Sequence, residues 1–329
     1  LSGVASAANG GLRFHVVTGK GGTGKTTVAA AMALALASGG GRVLLTEVEG
    51  RQGIAQLFDT PPLPYSETRV ARAPGGGEVM ALAIEPAAAL IEYLAIFYHL
   101  RGAGTILNRI GAIEFATTIA PGVRDVLLTG KIKEAVDRRD RTGRYVYDAV
   151  VLDAPPTGRI TRFLNVTADV SSLARMGPVK SQADSVQRVV RSPATAVHLV
   201  TLLEEMPVQE TVDGITELGA AQIPVGRVIV NLRRQPYPLP VRIVKKDVAA
   251  ALTSVGVAAG KAVVDGLVAE ATAYRERVAL EERELAVVQG LGPPVTLLAQ
   301  QPGPIDRGAL LALADSLAAQ GFPPAKAAS

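Results

Sequence analysis

Nine residues near the start of the chain, Gly19-Lys20-Gly21-Gly22-Thr23-Gly24-Lys25-Thr26-Thr27, are of types suited to holding phosphate. Four residues separate Gly19 from Gly24-Lys25-Thr26, which is the spacing of a P-loop. The glycines at 19, 21, 22 and 24 let backbone N–H groups turn inward around phosphate oxygens. Lys25 offers a cation to the β- and γ-phosphates of ATP, and the Thr26 hydroxyl offers a ligand to Mg²⁺. Gly22, Thr23, Gly24 and Thr27 are placed to donate hydrogen bonds to phosphate oxygens. Lys20 is a second cation in the same loop, where an ordinary P-loop needs one.

Two further segments carry carboxylates. Asp153-Ala154-Pro155-Pro156-Thr157-Gly158 follows the strongest apolar strand, Tyr147–Leu152. An acidic residue there is a Walker B candidate, supporting hydrated Mg²⁺, and the stiff proline turn after it is a candidate switch. A strand-ending Asp is also a common turn former. Glu47-Val48-Glu49-Gly50-Arg51-Gln52-Gly53 follows the second strand. A carboxylate there can orient the attacking water, with Glu49 as the candidate and Glu47 as the alternate. The competing reading is a solvated loop carboxylate.

The elements that must hold these residues alternate. Leu12–Thr18 reads as a buried strand, and an Ala-rich helix over 26–37 ends near Gly39-Gly40-Gly41. The N-terminus of that helix adds partial positive charge at the loop. Further strands are predicted over 43–48, 79–84, 196–202, 227–231 and 295–299. Helices are predicted over 87–100, 123–136, 209–220, 263–289 and 307–319. Such alternation predicts an α/β fold of the P-loop NTPase kind: a mostly parallel sheet with helices on both faces, ligands at the carboxyl ends of the strands, and a small helical insertion. The expected organisation is one ATPase domain over 12–322, with the insertion at 86–120 and 165–193 and flexible ends at 1–11 and 323–329.

Composition narrows the function classes. The chain has 329 residues, 48% of them hydrophobic and 19% charged, enough for a large core. It has no cysteine, which excludes disulfides and thiolate metal sites. The net charge of +4 comes with only 4% aromatics, so a nucleic-acid stacking surface is not expected. No apolar run reaches transmembrane length, and Leu1–Gly11 lacks the charged region of a signal peptide. A cytoplasmic protein without stable membrane insertion is expected.

Taken together, the three motifs resemble the deviant P-loop ATPases. Within them the chain is most similar to the ArsA-type anion-transporting ATPases, which include the arsenite-pump ATPase and the ATPases that target tail-anchored membrane proteins. The resemblance runs from the first strand to the last helix. It implies ATP and Mg²⁺ as cofactors and a dimer in which Lys20 reaches the nucleotide of the partner subunit. It also implies that Asn231, after Val228-Ile229-Val230, contacts adenine, although a strand-end Asn is a common turn residue too. Ala120-Pro121-Gly122-Val123-Arg124-Asp125 resembles the Pro-Gly segment that opens a family helix.

The departures matter as much. The first switch of the family reads Asp-Pro-Ala-His, where this chain has Glu49, Gly50, Arg51 and Gln52. Glu49 keeps the carboxylate with one more methylene, which loosens water positioning and slows hydrolysis. The zinc-clamping and arsenite-binding cysteines have no counterpart. The dimer is therefore expected to form without zinc, as a homodimer or as a heterodimer with a paralogous ATPase subunit. Helices over 87–100 and 105–119 are apolar nearly all round, either a buried pair or part of a groove for a hydrophobic or membrane-protein cargo. The segment 170–192, where a second groove wall is expected, is short and polar. Two other readings compete. One is a positioning ATPase like the MinD and ParA group, supported by Glu47-Val48-Glu49 at its Asp-x-Asp position but opposed by a C-terminal helix poor in Lys and Arg. The other is a nucleotide-gated binding subunit with little turnover.

Overall fold

The structure, a computed structural model, describes residues 11–322 except 49, 51, 99–120, 166–177, 236, 238 and 241. In chain order its main elements are β1 (Phe14–Gly19), α1 (Lys25–Ala37), β2 (Arg42–Val48), α2 (Gly53–Leu57), β3 (Thr68–Arg72), β4 (Glu78–Ile84), α3 (Pro86–Tyr98), α4 (Pro121–Asp137), β5 (Ala149–Asp153), α5 (Thr157–Leu164), α6 (Pro178–Val190), β6 (Thr195–Thr201), α7 (Glu205–Ala220), β7 (Val225–Arg233), α8 (Lys245–Ser254), α9 (Lys261–Gln289), β8 (Val295–Ala299) and α10 (Arg307–Ala319).

The eight strands form one sheet in the order β3-β4-β2-β5-β1-β6-β7-β8. Every pairing is parallel except β3 with β4. This is the mostly parallel α/β sheet expected from the alternation of elements. Of the strands, β3 is the one the sequence reading lacks. It is a short edge strand, and Arg69 and Arg72 on it suit a position that must not invite further pairing. Its antiparallel partner β4 follows through the turn at Pro74–Gly76.

Each central strand is buried on both faces, and successive side chains enter opposite cores. Val43 and Leu45 pack with α1 and α10, while Leu44 packs with residues of α4 to α6. The Ala-rich sequence of α1 follows from its place between the sheet and α10. Ala29, Ala30, Ala31, Ala33, Ala35 and Ala37 are all buried, and small side chains let both neighbours approach closely. The C-terminal helix α10 turns Leu310, Leu313 and Leu317 into the same core.

The described half of α3 is also core. Ala89, Leu90 and Tyr93 are buried, and Glu92 binds Lys131 of α4 and the Tyr65 hydroxyl, both at 2.7 Å. On α6, Ala183, Val186 and Val190 are buried in the same cluster. The remaining segments expected in the helical insertion, 99–120 and 166–177, lie outside the described residues, as do 1–10, 323–329, Glu49 and Arg51. Among the described residues no helix is long and apolar enough to cross a membrane.

On the far side, α9 is held by charge. Buried Glu281 binds Arg234, just beyond β7, and lies 3.7 Å from Arg277, which in turn binds Glu204 ahead of α7.

Candidate nucleotide site

The site forms where β1, β5 and β2 end side by side. Their register places Val17 of β1 beside Asp153 of β5, and Asp153 beside Glu47 of β2. The loop leaves β1 at Gly19, whose backbone passes so close to β6 that a Cβ there would meet the Val200 carbonyl oxygen at 2.1 Å. It closes through Thr23, whose hydroxyl donates to Lys20 O at 2.9 Å. Gly24 then starts α1 with φ 84°, in the left-handed region that glycine adopts without strain. Gly21 and Gly22 are exposed between these two points.

Lys25 folds back across the loop, and its ammonium donates to Lys20 O at 3.0 Å. Lys20 points away from that carbonyl and pairs with Glu210 of α7 at 2.8 Å. Thr27 follows Thr26 in the first turn of α1. The Thr26 hydroxyl donates to Asp153 Oδ2 at 2.6 Å. With its proton turned to the carboxylate, the hydroxyl oxygen presents lone pairs outward, the arrangement a cation ligand requires. Thr26 and Asp153 thus fit a hard divalent cation, and the sheet has brought them together across 127 residues.

Two contacts fix the surroundings of the loop. The Thr18 hydroxyl donates to Pro155 O at 2.7 Å, tying β1 to the proline turn that precedes α5. Asn231, buried near the end of β7, donates through Nδ2 to Thr23 O at 3.0 Å. A Cβ at Gly24 would lie 2.4 Å from that nitrogen, so Asn231 also explains why position 24 is glycine. The sequence pairs Asn231 with adenine by resemblance alone; the hydrogen bond to the phosphate loop is a contact that motif reading does not reveal.

Glu47, the alternate carboxylate of the sequence reading, is a second residue whose setting only the structure shows. It is buried at the end of β2, and its carboxylate accepts the Ile54 N–H at 3.2 Å. Burial pushes its pKa up, and the backbone N–H groups of Ile54, Gly53 and Gln52 oppose that shift. Beneath the loop lies a buried imidazole pair. His15 Nδ1 and His198 Nε2 are 3.2 Å apart on adjacent strands, and the Arg227 N–H donates to His198 Nδ1 at 3.2 Å. His198 therefore carries its proton on Nε2 and donates to His15.

Sequence comparison relates the chain to known ATPases. The chain is 52% identical to the ATPase BagA of Mycobacterium tuberculosis over 319 residues, covering 94% of each protein. It is 24% identical to the ATPase GET3 of Kluyveromyces lactis over 253 residues, 67% of this chain and 71% of that one. It is 25% identical to an arsenical pump-driving ATPase of Escherichia coli over 236 residues, 65% of this chain and 38% of that one. The sequence profile of the anion-transporting ATPases matches residues 12–191, a span that holds the loop, Glu47, Asp153 and the proline turn. The chain belongs to the anion-transporting ATPase family.

Proposed function

We propose that the protein is a Mg²⁺-dependent ATPase that works as a dimer, coupling ATP binding and hydrolysis to closure of the two subunits and to binding of a cargo or partner. The observation that carries this reading is the 2.6 Å hydrogen bond from Thr26 to Asp153, which joins the loop hydroxyl to the strand-end carboxylate. Backbone N–H groups of Gly21, Gly22, Thr23, Gly24 and Thr27 bind the phosphates, with Gly19 allowing the loop to turn. Lys25 leaves the Lys20 carbonyl to neutralise the β- and γ-phosphates. Thr26 and Asp153 hold the Mg²⁺, which supplies charge stabilisation to the transferring phosphoryl group. Glu49 orients the attacking water.

Asn231 keeps one amide hydrogen on Thr23 and offers its remaining carboxamide edge to adenine. Lys20 crosses to the nucleotide of the other subunit, which is a second copy or a paralogous ATPase subunit. The helical insertion expected at 86–120 and 165–193 carries the cargo contact, for a hydrophobic or membrane-protein client. The protein acts in the cytoplasm.

The test is phosphate release from Mg²⁺-ATP by the full chain. The wild type is expected to turn over slowly, and Lys25→Ala to lose nucleotide binding at least a hundredfold. Unchanged turnover in Lys25→Ala removes the assignment, and tight ATP binding without turnover in the wild type would leave a nucleotide-gated binding subunit in its place.

A further inference from the structure

Glu47 is only 2% exposed. Its Oε2 accepts the Ile54 N–H, while its Oε1 is buried with no hydrogen-bond partner. A buried carboxylate oxygen without a donor is costly, and each such atom in a folded protein calls for a partner. A donor supplied at the nucleotide site would complete the carboxylate. Glu47 is the register neighbour of Asp153, which accepts from Thr26. Gly53 lies between Glu47 and Thr26. A Cβ there would sit 3.1 Å from Thr26 Cγ2, 3.7 Å from Thr26 Oγ1 and 3.8 Å from Glu47 Oε2. The absence of a side chain at 53 therefore leaves the Thr26 hydroxyl and the Glu47 carboxylate, through Oε2, on either side of an unfilled position.

We infer that Glu47 is a positioning residue for the Mg²⁺, its free oxygen accepting a hydrogen bond from a water of the cation held at Thr26 and Asp153 while its other oxygen clamps the first turn of α2. The inference rests on the cation site of the proposed function. Among the described residues no group of three or more His, Asp or Glu side chains is placed to hold a metal ion by itself. Mg²⁺ needs none, because it retains waters and is bound by one or two carboxylates together with substrate phosphates. The two oxygens of Glu47 differ in their partners. Oε2 is held by the backbone N–H of Ile54, shortly after the segment that carries Glu49, and Oε1 is left for the cation water. Cation binding and order in the first switch are thereby linked through one side chain. A purely structural Glu47 would need only the N–H contacts, which the carbonyl oxygen of a glutamine also provides. A glutamine at 47 would, however, present an N–H₂ donor or a neutral oxygen to the cation water.

The experiment uses Mn²⁺ as the probe, titrated by electron paramagnetic resonance into the full chain saturated with a non-hydrolysable ATP analogue. Glu47→Gln is expected to weaken Mn²⁺ binding about tenfold, with analogue affinity in EDTA unchanged. In the wild type, Mn²⁺ is expected to slow amide hydrogen exchange at Ile54 beyond the effect of the analogue alone, and Glu47→Gln to lose that increment. Unchanged Mn²⁺ affinity in Glu47→Gln, with weakened affinity in Asp153→Asn, overturns the role of Glu47 and leaves the cation site standing. Unchanged affinity in both variants overturns the cation site and the inference with it. Should Glu47→Gln fail to fold, the wild-type exchange decides: no Mn²⁺-dependent slowing at Ile54 overturns the inference.

Discussion

The Lys20 ammonium lies 2.8 Å from Glu210 Oε1, so the extra cation of the phosphate loop is paired within its own chain. The other oxygen of Glu210 accepts the Thr157 hydroxyl at 3.3 Å. Thr157 opens α5 directly after the proline turn. One glutamate on α7 therefore touches both the loop and the second switch. Lys20 and Glu210 are 32% and 35% exposed, and a half-exposed pair of this kind contributes at most about 1 kcal/mol. It can restrain Lys20 but cannot lock it.

If Lys20 serves the nucleotide of a partner subunit, this pair must open on dimerisation. Glu210→Gln is expected to raise association in the presence of an ATP analogue by up to about fivefold. Sedimentation velocity at low salt reads the dimer fraction. An unchanged fraction under conditions where the wild type is partly dimeric would show that Glu210 does not hold Lys20 back.

Glu49 and Glu47 are separable by what each variant loses. At saturating Mg²⁺, Glu49→Gln is expected to slow phosphate release about a hundredfold and to leave ATP affinity intact. Turnover equal to the wild type would exclude Glu49 as the water-orienting carboxylate.

Asn231 carries two expected consequences. Its buried hydrogen bond to Thr23 contributes about 1 kcal/mol, so Asn231→Ala should unfold at lower denaturant concentration. Its remaining amide edge is assigned to adenine, so the same variant should lose more affinity for ATP than for GTP. Equal losses for the two nucleotides in calorimetric titrations would confine Asn231 to holding the loop.

The buried imidazole pair makes stability depend on pH. Burial lowers the His15 pKa from 6.5 to about 4, and burial together with His15 and Arg227 lowers that of His198 well below 6.5. Both are neutral in the folded protein at pH 7. As pH falls below 6.5 the unfolded chain takes up protons that the folded one refuses, so stability declines. The expected loss is about 2 kcal/mol from His15 alone at pH 5. Urea unfolding at pH 7 and pH 5 measures it, and His15→Leu should flatten the difference. An equal slope in that variant would assign the loss to other groups.

What the sequence determined by itself is local. Glycine spacing specifies the phosphate loop, because only particular backbone conformations let successive N–H groups converge. Periodicity delimits β8 and α10 at Val295–Ala299 and Arg307–Ala319, the same bounds the structure shows. It misses β3, α2, α5 and α8, which are short or at an edge, although α5 is clearly amphipathic, and it gives α6 only as part of the insertion at 165–193. What the tertiary structure decided is every relation between distant segments. β5 enters the sheet between β1 and β2, although 100 residues separate it from β2 and 129 from β1. That crossover puts Asp153 on Thr26 and beside Glu47, and the next strands bring Glu210 to Lys20 and Asn231 to Thr23. Parallel pairing has no sequence-local code: its partners are selected by which apolar faces the helices cover, and only the packed sheet settles that.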